Sequence, residues 1–271
     1  MSDLFVGILD GFLGESYSKI SDAFIAAKYA LESGGKRFRF YLSLEAAKAF
    51  GNERDDNAQR LAVAVELIHN YSLIHDDLPC MDNADMRRGQ PSCQKKFGET
   101  QATLAGDGLL NMAAEVILGG YVQENYLKAA KYLFDCSGFN GMVFGQSVDV
   151  ENKKLTFEEY RELARLKTSK LICASVVPQA ILGGANEIII ETLTDCCEKL
   201  GLVYQFVDDM SDKDEDEKKV SVLSYFDKNN AEEYILQLSE YIEKSLHTVS
   251  TGDKFDFFVE FLNSVTAKMG G

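Results

Sequence analysis

Several residue types are scarce in this chain, and their scarcity limits the fold that it can adopt. The 271 residues include three prolines and no tryptophan, while alanine, leucine, glutamate and lysine recur, a mixture that favours helix over strand. No uncharged apolar run reaches the ~18 residues of a transmembrane helix, so we expect no membrane-spanning segment. The six cysteines include no CxxC pair, which predicts reduced, mostly buried thiols in a cytoplasmic protein.

Positive charge is also scarce, because 43 acidic residues outnumber 28 basic ones and give a net charge of -15 at pH 7. Such a field opposes binding to nucleic acid or to an anionic membrane. If the ligand is an anion, local basic residues or bound metal ions must overcome this repulsion. The first residues carry no basic region followed by a long apolar one, so we expect no signal peptide.

Apolar residues, 46% of the chain, recur at helical spacing along most of its length. The pattern predicts helices over 3–14, 16–33, 38–50, 57–77, 100–119, 126–137, 156–183, 187–211, 231–248 and 253–268. Residues 139–150 form a small-residue segment, where helices could approach closely or a ligand could lie against backbone. With no fixed repeat, linker or strand-rich region, we expect an all-α fold, a single large bundle of about ten or more helices forming one domain over residues 1–271.

The most unusual stretch is the acidic end of the helix predicted over 57–77. Asp76, Asp77 and Asp82 lie within seven residues, although carboxylates are unfavourable at the negative end of a helix dipole unless a positive group binds them. In a continuous helix Asp76 and Asp82 would point about 240° apart. Pro79 should break the helix near Leu78, so that the chain folds back and brings Asp82 beside Asp76. We therefore predict a metal site here.

A second acidic group ends the helix predicted over 187–211. Gln205 precedes Asp208, Asp209 and Asp212 there, and Asp208 and Asp212 share a helix face because they are four residues apart. Two facing carboxylate walls could hold several divalent ions between them. Because the ligands are all oxygens, Mg²⁺ or a similar hard cation is expected.

Basic residues occur at two places where an anion could bind. Three cations follow the glycine pair at 34–35, namely Lys36, Arg37 and Arg39. They are either a solvated helix start or an anion site that the glycines leave open to a ligand. Arg87 and Arg88 follow the first acidic group directly. A histidine on an apolar helix is usually a satisfied core residue, but His69 lies two turns before the acids, which favours a functional role.

Five separated blocks of the chain resemble the trans-isoprenyl diphosphate synthases, and most of all the bacterial farnesyl diphosphate synthases. The blocks are 34–39, 66–89, 145–146, 167–168 and 205–212. The resemblance implies an all-helical homodimer with the two acidic groups on facing helices around a deep central cavity. It also implies a magnesium-dependent prenyltransferase that condenses isopentenyl diphosphate with dimethylallyl or geranyl diphosphate to give farnesyl diphosphate.

The resemblance implies roles for individual residues. It implies that Asp76, Asp82 and Asp208 bind magnesium ions, with Asp77, Asp209 and Asp212 as further candidate ligands. Three ions are implied with substrate bound, and Mn²⁺ could replace them. The diphosphate of isopentenyl diphosphate is implied on Gly35, Lys36, Arg39, His69 and Arg88. The allylic diphosphate is implied on Arg87, Lys167, Thr168, Gln205 and Lys219. The implied catalytic set is Asp76, Asp77, Asp82, Asp208 and, near the forming carbocation, Lys167, Thr168 and Gln205.

The chemistry of this reaction suits these residue types. Breaking the allylic C–O bond leaves a pyrophosphate that carries most of the developing negative charge, which metal ions and cations stabilise. The double bond of isopentenyl diphosphate quenches the carbocation, and the released pyrophosphate can take the proton, so no histidine base is required. Tyr71 and Ser72, one turn before Asp76, face the hydrocarbon cavity, and the tyrosine is expected to stop growth at C15.

Other functions account for parts of the pattern. A geranylgeranyl (C20) or geranyl (C10) synthase shares the chemistry, and related C20 enzymes share the sequence from Asp76 to Asp82. A class I terpene cyclase would ionise one substrate and would not need the second set of cations. A modulatory subunit of a synthase would tend to lose the aspartates, and a metal-binding helical protein without an isoprenoid role would not need the basic blocks.

Overall fold

Helix dominates the computed structural model, which describes residues 2–13, 21–151, 153–211, 220–250 and 252–270, and the all-α prediction is confirmed. The helices are α1 (Ser2–Leu13), α2 (Asp22–Glu32), α3 (Phe38–Ala49), α4 (Asp56–Asp76), α5 (Cys93–Phe97), α6 (Glu99–Leu118), α7 (Glu124–Ser137), α8 (Met142–Asp149), α9 (Phe157–Ala164), α10 (Lys170–Leu182), α11 (Glu187–Ser211), α12 (Lys228–Val249) and α13 (Asp256–Thr266). A π-helical turn, Arg165–Ser169, connects α9 to α10. Most bounds lie within a few residues of the predicted ones.

Three short elements have no counterpart in the prediction, because elements of this length show too little periodicity. They are α5, α8 and a hairpin of the strands β1 (Met86–Arg87) and β2 (Gln90–Pro91), which pair antiparallel. Arg88 and Gly89 between the strands have φ angles of 54° and 76°. Positive φ at both central residues is the geometry of a type I′ hairpin turn, which glycine at the second position favours.

Contacts within the chain group it into two compact units, Met1–Leu44 with Arg54–Val122 and Glu45–Glu53 with Gln123–Gly271. The single domain expected over residues 1–271 stays a prediction. In the first unit both α4 and α2 pack against α6. Since α4 is buried on nearly all sides, a polar side chain on it must find partners within the unit or line a binding site.

The second unit is built around α10 and α11. Helix α10 is buried at nearly every position and packs against α7 and α11, while α12 packs on α11. One aromatic cluster joins the start of α9 to α11 and α12, and its members are Phe157, Tyr160, Phe206, Tyr225, Phe226 and Tyr234. At the π-helical turn Gly145 lies directly against backbone, because a Cβ there would be 2.5 Å from the Lys167 nitrogen. The predicted close approach at 139–150 is confirmed at this glycine.

The cysteines agree with the expectation of mostly buried thiols. All six cysteines lie among the described residues as free thiols, and five of them are buried, Cys80 being the exposed one. Across the described ranges, no helix is both long enough and apolar enough to cross a membrane.

Arg37 fits neither interpretation of the basic stretch that follows the glycine pair, while for Lys36 and Arg39 the anion site stays a prediction. Its side chain is neither solvated nor open to a ligand, since it is 2% exposed and its Nη1 lies 3.0 Å from Glu66 Oε1. The same Nη1 donates to Asn70 Oδ1 at 3.1 Å, and Nη2 donates to the Leu31 carbonyl. Arg37 therefore fixes the start of α3 on α4.

Breaking this buried ion pair should destabilise the first unit. We expect Glu66→Ala to lower the free energy of unfolding by about 3–5 kcal/mol, because it leaves the Arg37 charge buried without its carboxylate. The matched control is Glu45→Ala, which removes the surface pair with Lys48, and it should change stability by less than about 1 kcal/mol. Urea unfolding followed by circular dichroism measures both, and equal losses would contradict the assigned role.

Candidate active site

The acidic end of α4 reverses direction as the sequence predicts. Helix α4 ends at Asp76, and the Asp77 N–H caps it by donating to the Leu73 carbonyl at 3.2 Å. After Pro79 the chain folds back, and the Asp82 N–H donates to the Asp76 carbonyl at 2.8 Å. The predicted approach of Asp82 to Asp76 is therefore confirmed. Asp82 is exposed and Asp76 partly exposed.

Asp77 points inward and holds an arginine of the hairpin. Its carboxylate is buried and accepts hydrogen bonds from Nε of Arg87 at 3.0 Å and from Nη2 of the same side chain. Burial would lower the pKa of Arg87, but the hydrogen bond and the charge of Asp77 outweigh it and raise that pKa. A permanently charged guanidinium thus lies directly beside the acidic turn.

Arg39 contacts His69 directly, and the charge of Arg88 also acts on this histidine. Arg39 Nη1 lies 3.2 Å from His69 Nε2, and Arg88 Nη1 donates to the Gly34 carbonyl at 2.8 Å and, at 3.4 Å, to Asn70 Oδ1. Because a guanidinium only donates, His69 Nε2 must accept and the ring proton must be on Nδ1.

Burial holds the pKa of His69 well below its ordinary value, and the charges of Arg39, Arg88, Arg37 and Arg87 lower it further. The ring is therefore neutral at physiological pH. A concentration of positive charge that suppresses a further proton is an environment that favours an anion.

Gly35 is required where Arg88 crosses the chain. Its φ is +100°, and a Cβ added there would lie 2.5 Å from the Arg88 guanidinium carbon. Lys36 follows with an exposed side chain. Of the five residues predicted for isopentenyl diphosphate, the structure brings Arg39 to His69 and Gly35 to Arg88.

Tyr71 and Ser72 lie one turn before Asp76, as the spacing requires. Tyr71 is 7% exposed, and its ring stands edge-on to His75 with 5.7 Å between the ring centres. Burial, followed by the charge of Asp76, raises the pKa of Tyr71 to about 12. Ser72 donates to the His69 carbonyl at 2.9 Å, so its hydroxyl is held by backbone.

In the second unit the predicted residues form hydrogen bonds within that unit. Lys167, on the π-helical turn, donates to the Asp149 carboxylate. Thr168 Oγ1 lies 2.8 Å from Gln205 Oε1, and Gln205 Nε2 lies 2.8 Å from Asp209 Oδ1. Asp208 is exposed. The predicted residues Asp212 and Lys219 lie outside the described residues.

Sequence reasoning missed four residues of these networks, namely Glu66, Asn70, Asp149 and Tyr160, the last of which donates from its hydroxyl to Asp209. Glu66 and Asn70 sit on the same polar side of an apolar helix as His69, which could have marked them. Asp149 follows the block at 145–146 by only three residues. Tyr160 carries no local signal, because its role depends on contact with α11.

The acidic side chains can be compared with the ligands that the implied Mg²⁺ ions would need. Among the described residues, no three His, Cys, Asp or Glu side chains are arranged to hold a metal ion by themselves. Asp76 and Asp82 nevertheless share one turn, and carboxylate oxygens are suitable ligands for Mg²⁺. Because Mg²⁺ usually binds one or two carboxylates together with water and substrate phosphates, this pair fits an ion that arrives with a diphosphate.

The chain matches known proteins along most of its length. The family described as polyprenyl synthetase matches residues 24–222. The farnesyl diphosphate synthase of Bacillus subtilis is 41% identical over 198 residues, which are 71% of this chain and 67% of that protein. Geranylgeranyl pyrophosphate synthase 9 of Arabidopsis thaliana, a chloroplastic protein, is 42% identical over 196 residues, 69% of this chain and 54% of that protein. The match thus spans about half the length of this plant relative.

Solved structures extend the similarity to nearly the whole chain. A geranyltransferase from Legionella pneumophila has a TM-score of 0.87 and 33% identity, covering 100% of this chain and 95% of that one. An FPP/GFPP synthase from Zymomonas mobilis has a TM-score of 0.88 and 29% identity, covering 98% of this chain and 95% of that one.

Two adjacent glycines test whether Arg88 takes part in anion binding. Gly34 and Gly35 both have positive φ, so alanine strains the backbone at either position by about 1–2 kcal/mol. Only at Gly35 does the new methyl group collide with Arg88, since nothing lies within 4 Å of a Cβ at Gly34. We expect Gly35→Ala to weaken binding of inorganic pyrophosphate at least about tenfold, the worth of one charged hydrogen bond. Gly34→Ala is the control, and calorimetry showing equal affinity losses would contradict the prediction.

Proposed function

The chain belongs to the polyprenyl synthetase family, and we propose that it is a farnesyl diphosphate synthase. In this reaction isopentenyl diphosphate is joined head-to-tail to dimethylallyl and then geranyl diphosphate. The C1–O bond of the allylic substrate breaks, and its electron pair leaves with pyrophosphate. The double bond of isopentenyl diphosphate then forms the new C–C bond, and one proton passes to the released pyrophosphate.

The observation that carries this proposal is that the first unit holds two different arrangements for an anion. One is the acidic turn of Asp76 and Asp82 with Arg87 beside it, which suits a diphosphate accompanied by metal ions. The other is the cluster of Arg39, His69 and Arg88, which suits a diphosphate held directly by cations. A condensation of two diphosphates needs both arrangements, whereas a terpene cyclase needs only the first.

The roles follow from this division. We assign the diphosphate of the allylic substrate to the acidic turn and Arg87, with Lys167 and Lys219 as further contacts, and we assign Thr168 and Gln205 to the reacting carbon of the same substrate. Asp76, Asp82 and Asp208 are the residues that would hold Mg²⁺, and the ion would supply positive charge to the departing pyrophosphate. The diphosphate of isopentenyl diphosphate is assigned to Lys36, Arg39, His69 and Arg88. Gly35 belongs to the same site because its missing side chain leaves space for Arg88. A bound diphosphate would offset the mutual repulsion of the arginines.

Product length is the finer part of the proposal. The similarity alone does not separate C15 from C20, since the Bacillus farnesyl synthase and the Arabidopsis geranylgeranyl synthase are 41% and 42% identical to the chain. Buried Tyr71, one turn before Asp76, supports the C15 product because its bulk would limit the hydrocarbon below the acidic turn. The homodimer and the cytoplasmic location stay predictions.

Product analysis tests the reaction class. The protein is incubated with Mg²⁺, isopentenyl diphosphate and geranyl diphosphate, and the alcohols released by phosphatase are identified. We expect farnesol, a loss of at least about 100-fold in rate for Asp82→Asn, and a normal rate for the control Asp135→Asn, whose carboxylate pairs with Lys131 at the surface. Absence of any condensation product would refute the synthase, and a modulatory subunit would then be the alternative. A cyclic hydrocarbon from one substrate would indicate a cyclase.

Tyr71 can be tested separately from the reaction class. We expect Tyr71→Ala to shift the products toward C20 and longer chains, because the smaller side chain opens space one turn below Asp76. Tyr121→Ala is the control, since that tyrosine of the same unit is 72% exposed. Chromatography of the dephosphorylated products measures the shift. An unchanged distribution in Tyr71→Ala would place the length limit at other residues.

A further inference from the structure

A line of hydrogen bonds in the second unit joins α9, the π-helical turn, α11 and the segment after α11. Thr168 Oγ1 is bonded to Gln205 Oε1, and Gln205 Nε2 to Asp209 Oδ1, each at 2.8 Å. The other oxygen of Asp209, Oδ2, accepts from the Tyr160 hydroxyl and from the Val222 N–H at 2.7 Å. Both carboxylate oxygens of Asp209 therefore have protein donors.

The chemistry of these groups sets the direction of every bond in the line. An ionised carboxylate only accepts, so the Gln205 amide must turn its NH₂ group to Asp209. Its carbonyl oxygen then faces Thr168, and the threonine hydroxyl must donate to it. The proton of Thr168 is thereby directed at Gln205, and the lone pairs of Thr168 Oγ1 face away from Gln205.

We propose that Asp209 is a positioning residue rather than a metal ligand: through Gln205 it holds the Thr168 hydroxyl so that lone pairs, and not the proton, face the reacting carbon. This inference rests on the proposed function, in which Thr168 lies near the allylic cation. An oxygen that presents its lone pairs stabilises a developing positive charge, whereas one that presents its proton destabilises it. A dipole that is already oriented in the free protein needs no reorganisation during the reaction.

The far end of the line is rigid, which such a role requires. Tyr160 is 3% exposed, and its ring stacks on Phe206 with 5.8 Å between centroids and 15° between planes. The Tyr160 hydroxyl donates to Asp209, and the Val222 N–H beside it can only donate, so this end of the line is fixed by two donors. The neighbouring Asp208, by contrast, is exposed and belongs to the proposed metal ligands.

Asp209→Asn should reverse the donor-to-acceptor direction of these hydrogen bonds while keeping each bond in place. Tyr160 and Val222 both donate, so the new amide must give them its oxygen and present its NH₂ to Gln205. The Gln205 amide must then flip, and its NH₂ now donates to Thr168, whose proton is released toward the reacting carbon. We expect kcat to fall about 100-fold, a loss typical of one preorganised dipole, with little change in KM for either substrate.

A second substitution should restore the original direction. When Gln205→Glu is added to Asp209→Asn, the carboxylate of the new glutamate accepts from the new asparagine on one side and from Thr168 on the other. The net charge is then the same as in the parent protein. We expect the double variant to regain at least about tenfold of the lost kcat. Gln205→Glu alone should lower kcat, since it places two carboxylates against each other. A double variant as slow as Asp209→Asn would refute the control of Thr168 by hydrogen-bond direction.

Binding of pyrophosphate in the presence of Mg²⁺ separates positioning from metal ligation without using activity. Calorimetry should show unchanged affinity for Asp209→Asn and a loss of at least about tenfold for Asp208→Asn, which removes a charged oxygen ligand. The control Asp195→Asn, a partly exposed aspartate of α11 that pairs with Lys199, should keep both affinity and kcat. An equal loss of affinity in Asp209→Asn and Asp208→Asn would make Asp209 a metal ligand and overturn the proposal.

Thr168→Val provides a test that does not depend on rescue. With no hydroxyl to orient, adding Asp209→Asn should lower kcat less than about twofold, whereas in the parent protein it lowers kcat about 100-fold. Thermal unfolding of each variant checks that the comparison is between folded proteins. Additive losses would refute the proposal even if Asp209→Asn proves unstable. Absence of condensation by the unmodified protein, by contrast, would refute the proposed function itself.

Discussion

Electrostatic repulsion among arginines is the constraint on which the first unit depends. Burial holds the pKa of His69 well below its ordinary value, and the charges of Arg39, Arg88, Arg37 and Arg87 all lower it further. Two carboxylates limit the repulsion from inside, because Glu66 pairs with Arg37 and Asp77 with Arg87. The repulsion that remains favours a bound anion. The overall charge of -15 would oppose that anion elsewhere on the surface, so affinity is concentrated at this cluster.

Much of the fold could be predicted from the sequence, because its long helices have a regular apolar period. The reversal after α4 could also be predicted, since a proline cannot continue a helix and a fold-back alone brings Asp82 to Asp76. The hairpin and α8 could not be predicted in this way. Their stability comes from a positive-φ turn at Arg88 and Gly89 and from Gly145 lying against Lys167, contacts that no local period reports.

The sequence predicted the members of the candidate site better than their individual roles. Arg37 and Arg39 are two residues apart and chemically identical, yet one forms a buried ion pair and the other lies beside His69. The difference depends on Glu66, which is 29 residues further along the chain. A pattern of residue types marks a region as cationic, but the distant partner determines which cation is left to act on a ligand.

The two acidic groups illustrate the same point through helix geometry. Consecutive residues of a helix point about 100° apart, so two adjacent aspartates cannot face the same ligand equally. Within each adjacent pair the first aspartate is the more exposed one, Asp76 compared with Asp77 and Asp208 compared with Asp209. The second aspartate of each pair instead bonds within its unit, Asp77 to Arg87 and Asp209 to Gln205 and Tyr160. An acidic pair therefore need not be two metal ligands, since one carboxylate can hold in place the side chains that act beside the other.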